Sequence, residues 1–169
     1  ITERKRSELL TAGDRRVFER ITSNAELTAT LEAITETAEK VTPDALCTVS
    51  VYEAETNTLH HVAGMRLPHD YLNAKQRIEI GPRNGSCAAA IFLHRQVIVA
   101  EITRDALWEH LRAPAVEAGL RACWSTPVRA SDGRMLGTVA LYFKQPRSPL
   151  RRDFELMGRL TALAAIAIE

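Results

Sequence analysis

Asp132-Gly133 sits between two strand-like runs, 120–130 (LRACWSTPVRA) and 134–144 (RMLGTVALYFK). An Asp-Gly turn between apolar, β-branched runs is a strong hairpin signal, because only such residues accept the positive φ of a tight turn. A second pair of runs, 45–53 and 58–65, flanks the turn residues Glu55-Thr56-Asn57. Two hairpins commit the chain to an antiparallel sheet, which needs helices over at least one face.

Helical patterns supply that cover. Residues 3–20 are rich in charge and helix formers, interrupted only by Gly13. Leu27, Leu31, Ile34, Ala38 and Val41 then recur at the spacing of an amphipathic helix or an interhelical seam, which Pro43-Asp44 stops. Between the hairpins we expect a short helix over 71–76, a short strand over 77–80 and a helix over 87–94 capped by Ser86. A strand over 97–100 and a helix over 106–117 started by Asp105 and ended by Gly119 should follow. The tail from Leu150 to Glu169 is helical, with Phe154, Met157, Leu160, Leu163 and Ala167 directed inward. The expected class is α+β, with a central antiparallel sheet of five or six strands. The terminal helices should pack together on one face, with short helices and loops on the other.

Composition narrows the function classes. Lys and Arg number 22 against 21 Asp and Glu, a formal charge of +1, which gives no global attraction to nucleic acid. Arg147, Arg151 and Arg152 form too small a basic cluster to change that. No apolar run is long enough to span a bilayer, and residues 1–20 lack the pattern of a signal peptide. Cys47, Cys87 and Cys123 are sparse and contain no CxxC pair, so a reduced cytoplasmic setting without a structural metal is expected. His60 and His61 are adjacent on a strand and point to opposite faces, as two surface histidines that do not chelate one ion.

Three stretches resemble a GAF domain, the sensing module of bacterial signalling proteins. They are GSCAAAIFLHRQVIVAEI (85–102), RDALWEHLRAPAVEAGLRACWSTPV (104–128) and DGRMLGTVALYFKQPRSP (132–149). Ala88 and Ala106 depart from the Gly and Pro usual there. Ile1-Thr2-Glu3-Arg4-Lys5-Arg6 resembles the end of a PAS domain. The organisation implied is an inter-domain linker helix over 1–20 and a GAF sensor domain over 21–169. The chain would be a segment of a longer protein, with PAS before it and an output domain after it. A histidine kinase, a diguanylate cyclase or a cyclic-di-GMP phosphodiesterase is the output such proteins commonly carry.

The resemblance implies a small-molecule pocket between the sheet and the middle helices, in a domain with no catalytic residues of its own. Candidates to line it are Cys87, Trp108, Arg121, Cys123, Trp124 and Ser125. Along the strand near 120–128, Arg121, Cys123 and Ser125 share one face, and Ala122, Trp124 and Thr126 the other. Which face looks at the pocket is open at this level. Arg121 could anchor an anion or pair with Glu101, Asp105 or Glu117. Cys87 and Cys123 could serve the chemistry of the GAF-fold free methionine-R-sulfoxide reductases. The acidic residues and extra cysteine of those enzymes have no clear counterparts here. Bilin and cyclic-nucleotide signatures are absent, nothing marks a haem ligand, and the cofactor stays unknown. A homodimer through the terminal helices, or a ligand-free spacer module, completes the expectations.

Overall fold

The computed structural model describes residues 1–169. Six strands form one fully antiparallel sheet: β1 (Leu46–Glu53), β2 (Thr58–Ala63), β3 (Arg77–Glu79), β4 (Val97–Val99), β5 (Ala122–Arg129) and β6 (Met135–Phe143). Their order is β3-β2-β1-β6-β5-β4. Both expected hairpins are present, β1–β2 and β5–β6, and β1 pairs with β6 at the centre to join them.

One face carries α1 (Glu3–Thr22), α2 (Leu27–Val41) and α6 (Arg151–Ile168). Leu31, Ile34, Ala38 and Val41 of α2 meet Met157, Leu160 and Leu163 of α6 over Val49, Trp124, Val139 and Leu141 of the sheet. The expected packing of the terminal helices on one face is borne out. Gly13 sits within the unbroken α1, where α2 passes so close that a Cβ would lie 2.3 Å from the Thr37 methyl. Phe154, expected inward, is 44% exposed, and Ile166 is 51% exposed, whereas Leu160 and Leu163 are core residues.

The other face carries α3 (His69–Lys75), α4 (Ser86–Leu93), a 3-10 turn (Ala106–Trp108) and α5 (Arg112–Glu117). The single helix expected over 106–117 is therefore two pieces. A continuous helix would place Pro114 in its interior, where the ring clashes with the carbonyl four residues back. Restarting at Arg112 puts Pro114 in a first turn, where no backbone donor is needed. Asp105 does cap the first piece, accepting from the Leu107 N–H at 2.9 Å. Ser86 is not a cap: Gly85 holds that position at φ 93°, and Ser86 is the first helical residue.

Candidate functional site

Alternation along β5 decides which side chains enter the layer between the sheet and α3–α4. Cys123 and Ser125 face α4, while Ala122, Trp124 and Val128 join the core under α1, α2 and α6. Cross-strand pairing extends the α4-facing wall: Ser50 sits opposite Thr138, Thr48 and Ser125 both flank Ala140, and Cys123 lies opposite Tyr142. Small polar side chains thus tile the middle of a sheet face that would ordinarily be apolar.

Above this wall lie Cys87 from α4 and Lys75 from the end of α3, 6% and 2% exposed. The Lys75 ammonium donates to Thr48 Oγ1 at 3.2 Å, lies 3.4 Å from His61 Nδ1 and sits 5.5 Å from the Tyr142 ring centre. All three partners are neutral, and the buried polar groups around it include no carboxylate. Burial pulls the Lys75 pKa down, opposed by the nearby cysteines, Cys87 first. Burial, then the Lys75 charge, pushes His61 down to about 3. The Cys87 thiol is held down at about 5, first by a hydrogen bond from Cys123, then by Lys75, Ser125 and Thr138. Burial and the bond to Cys87 push Cys123 up instead, and burial does the same to Cys47, which lies on the other face of the sheet.

Three polar atoms in or beside this chamber lack a hydrogen bond: His61 Nε2, Ser125 Oγ and Thr138 Oγ1. Buried groups of this kind cost about 1–3 kcal/mol each when left unpaired, so the chamber is not optimised for stability alone. Trp108 closes one side. Its Nε1–H donates to Ser86 Oγ at 2.9 Å, and that hydroxyl donates to the Cys123 carbonyl at 3.2 Å. Tyr71 and Tyr142 hydroxyls meet at 3.0 Å behind it.

Four of the six residues expected to line a pocket therefore converge: Cys87, Trp108, Cys123 and Ser125. The other two do not. Trp124 is on the opposite face, donating to the Arg147 carbonyl at 3.0 Å and packing at a tilt against Phe143, with ring centres 4.4 Å apart. Arg121 forms a two-pronged ion pair with Glu101, donating through Nε at 2.9 Å, and holds that carboxyl down at about 2. A guanidinium committed in this way to a neighbouring carboxylate is a structural clasp. Lys75, His61, Thr48 and Thr138 were not anticipated. His61 is buried at 7% exposure, not a surface residue, while His60 bonds Thr58 Oγ1 at 2.9 Å near Glu53.

The largest cleft, about 520 Å³, opens on the same layer beyond the C-terminal end of α4. Tyr52, Ile80, Phe92, Met135 and Leu136 give it an apolar wall, with Arg134 and His94 at its rim. None of the six expected residues lines it. Its size is that of ordinary small-molecule sites.

A GAF-domain family model matches residues 24–169. The chain belongs to the GAF family. Over its whole length it is 35% identical to the methyl sulfide methyltransferase-associated sensor of Methanosarcina acetivorans, and it spans 17% of that protein. The free methionine-R-sulfoxide reductase of Neisseria meningitidis, solved with its substrate, superposes with a TM-score of 0.74 at 17% identity, covering 96% of this chain and 87% of that one. A phycocyanobilin-bound GAF domain from a cyanobacterial phytochrome gives 0.70 at 15% identity, covering 94% and 93%. At such identities the likeness is one of fold. The structure contains no helix long and apolar enough to cross a membrane.

The chamber fixes a pH response. In the unfolded chain His61 takes a proton near 6.5, whereas in the fold it resists protonation down to about 3. Between those values the unfolded state binds the extra proton, so stability falls as pH falls, by about 1.4 kcal/mol per unit for that one group. Urea denaturation from pH 6.5 to 3 should show this slope, and His61→Gln should flatten it by one proton. An unchanged slope in the variant would mean that other groups govern the acid limb.

Proposed function

We propose that this GAF domain is a regulatory sensor that does no chemistry on its ligand. A small molecule would occupy the layer between the sheet and α3–α4, and the domain would relay its presence to covalently attached domains. The observation that carries this reading is the chamber, where a buried ammonium without a carboxylate and unpaired hydroxyls lie in the same layer as a cleft of ligand size. A core selected for stability alone would be apolar there. A ligand that binds one arrangement of α4 better than another shifts the population between them. The sensor-named relative supports the same reading.

The relay follows from the other face. Arg6 donates to the Arg152 carbonyl, and Asp14 pairs with Arg159, so α1 and α6 run in the same direction. The 18 residues of α6 span about 27 Å. A PAS domain before Ile1 and an output domain after Glu169 would therefore attach at opposite ends of the helical layer. The output would be a histidine kinase, a diguanylate cyclase or a cyclic-di-GMP phosphodiesterase, in a cytoplasmic setting. Residues 1–20 would act as the linker helix.

Homodimerisation would use Phe18 of α1 with Phe154 and Ile166 of α6, all exposed by 44–51%. Light scattering on the chain should give a dimer, and Ile166→Glu should shift it to monomer with an unchanged melting temperature. A wild-type monomer at high micromolar concentration would remove the dimer relay.

A thermal-shift screen of small metabolites, with native mass spectrometry of hits, tests the sensor reading. At least one compound should stabilise the wild type by several degrees and lose that effect in Lys75→Met. A screen without any such compound would leave the chain a spacer. NADPH-coupled turnover of free methionine sulfoxide would make it an enzyme. The absence of a carboxylate facing Cys87 argues against that, since the ammonium of a free amino acid needs an acidic partner.

A further inference from the structure

We propose that the cleft at the C-terminal end of α4 is a second binding site, separate from the chamber, for a small aromatic carboxylate. Its chemistry stands independently of the sensor reading.

The cleft, of about 520 Å³, is bounded by the last turn of α4, the β1–β2 turn and the start of β6. None of the chamber residues lines it. About 10 Å of helix separates Cys87, in the first turn of α4, from His94 at its end. Tyr52, Phe92 and Met135 bring two aromatic rings and a thioether to the wall, beside Ile80 and Leu136. Phe92 is 51% exposed, although the first six residues of its helix are all buried. A lone exposed phenylalanine needs no explanation, but an apolar concavity that water alone fills marks a binding site. Rings and sulfur around it favour a flat aromatic body.

The rim selects the head of the ligand. No Asp or Glu side chain lines the cleft. Asp132 spends both oxygens on Arg134: Oδ1 accepts from the backbone N–H at 3.0 Å, and Oδ2 from Nε at 2.8 Å. That contact holds the guanidinium by one side and leaves Nη1 and Nη2 without a protein partner. Asn57 Oδ1 accepts from the Tyr52 hydroxyl at 2.7 Å, and the amide nitrogen of Asn57 is left with its donors unspent. The His94 carbonyl accepts from Arg129 at 2.6 Å, while its ring makes no hydrogen bond. Unspent donors from three separate elements, with a fixed guanidinium among them and no acid, suit a carboxylate.

His94 points the same way on different grounds. It holds φ 56° at the end of α4, where glycine is the usual residue. A side chain there carries a backbone cost that glycine avoids, so helix termination does not account for a histidine. Arg129, at an irregularity in the pairing of β5 with β6, ties the His94 carbonyl to the hairpin that carries Arg134. An acid held between Arg134 and His94 would brace the last turn of α4 against that hairpin.

Isothermal titration with naphthylacetate, and with its neutral amide as the comparison, tests the site. The acid should bind about threefold to fivefold more tightly than the amide, a modest preference because the guanidinium is exposed. Raising salt from about 0.05 to 0.5 M should shrink that preference. Arg134→Gln should abolish it and leave amide binding unchanged. Phe92→Ala should weaken acid and amide alike, by about fivefold. His94→Gly should weaken the acid while raising the denaturation midpoint, an opposition that a merely structural residue would not show. Lys75→Met should bind the acid as the wild type does, and bound acid should slow hydrogen exchange in the last turn of α4. No binding at millimolar acid, equal binding of acid and amide, or a preference that survives both Arg134→Gln and His94→Gly would overturn the proposal. Loss of acid binding in Lys75→Met would overturn it too, by placing the acid in the chamber, and would leave the sensor reading standing.

Discussion

Gly137→Val should leave little or no folded protein. Gly137 lies in β6, the strand flanked on both sides at the centre of the sheet, opposite Val51 and Val128. A Cβ at this position would lie 2.1 Å from the Ser50 carbonyl oxygen and 3.2 Å from the Val51 Cα. Both are backbone atoms of the neighbouring strand, so no side-chain rotation relieves the contact. Relief requires β1 and β6 to separate where they join the two hairpins. That places the cost at about 3–5 kcal/mol, the upper range for single substitutions, against a total of about 5–15 kcal/mol for a domain. Gly158 in α6 is the control. Its Cβ position meets nothing within 4 Å, so Gly158→Ala should stabilise by up to about 1 kcal/mol through helix propensity. Circular dichroism on the two variants should show opposite shifts of the denaturation midpoint. A well-folded Gly137→Val with a midpoint near wild type would mean that β1 and β6 are not paired in this register.

The hairpins were legible because turn chemistry and strand alternation are local. Asp132-Gly133 predicts the β5–β6 turn, and Gly133 indeed adopts φ 91°. Alternation likewise sorts Cys123 and Ser125 from Trp124. It does not say which side of the sheet α4 covers, since that follows from chain topology, and Trp124 was carried as a pocket residue for that reason. Lys75 carries no sequence motif, although it stands three and four residues after the buried Leu72 and Tyr71 and so shares their face. His61 reads as a surface histidine from sequence because its strand alone does not reveal that α3 places a charge beside it. Thr48, Ser50 and Thr138 left a fainter signal. They occupy alternate positions on central strands, where apolar residues would be expected, and only the pairing of β1 with β6 brings them together.

Trp108→Ala should cost about 3–5 kcal/mol and should open the chamber before it unfolds the domain. Trp108 is 1% exposed and packs edge-on against Tyr142, with ring centres 6.4 Å apart. Its removal leaves a cavity in the layer of short helices, which are held by fewer regular elements than the opposite face. It also strips Ser86 of its donor, although the Ser86 hydroxyl can still reach the Cys123 carbonyl. Trp108→Phe separates the two effects. The phenyl ring keeps most of the volume but loses the N–H and part of the indole, so the loss should be smaller, about 1–2 kcal/mol. Urea denaturation measures the global cost, and native-state alkylation measures the local one. Cys87 lies in the first turn of α4, next to Ser86, and should be alkylated faster in Trp108→Ala than in the wild type at urea concentrations where both remain folded. Cys47, packed under α2 on the far face, should keep its wild-type rate. If Cys47 and Cys87 became reactive together, α4 would open only with the whole domain, and Trp108 would be a core aromatic without a gating role.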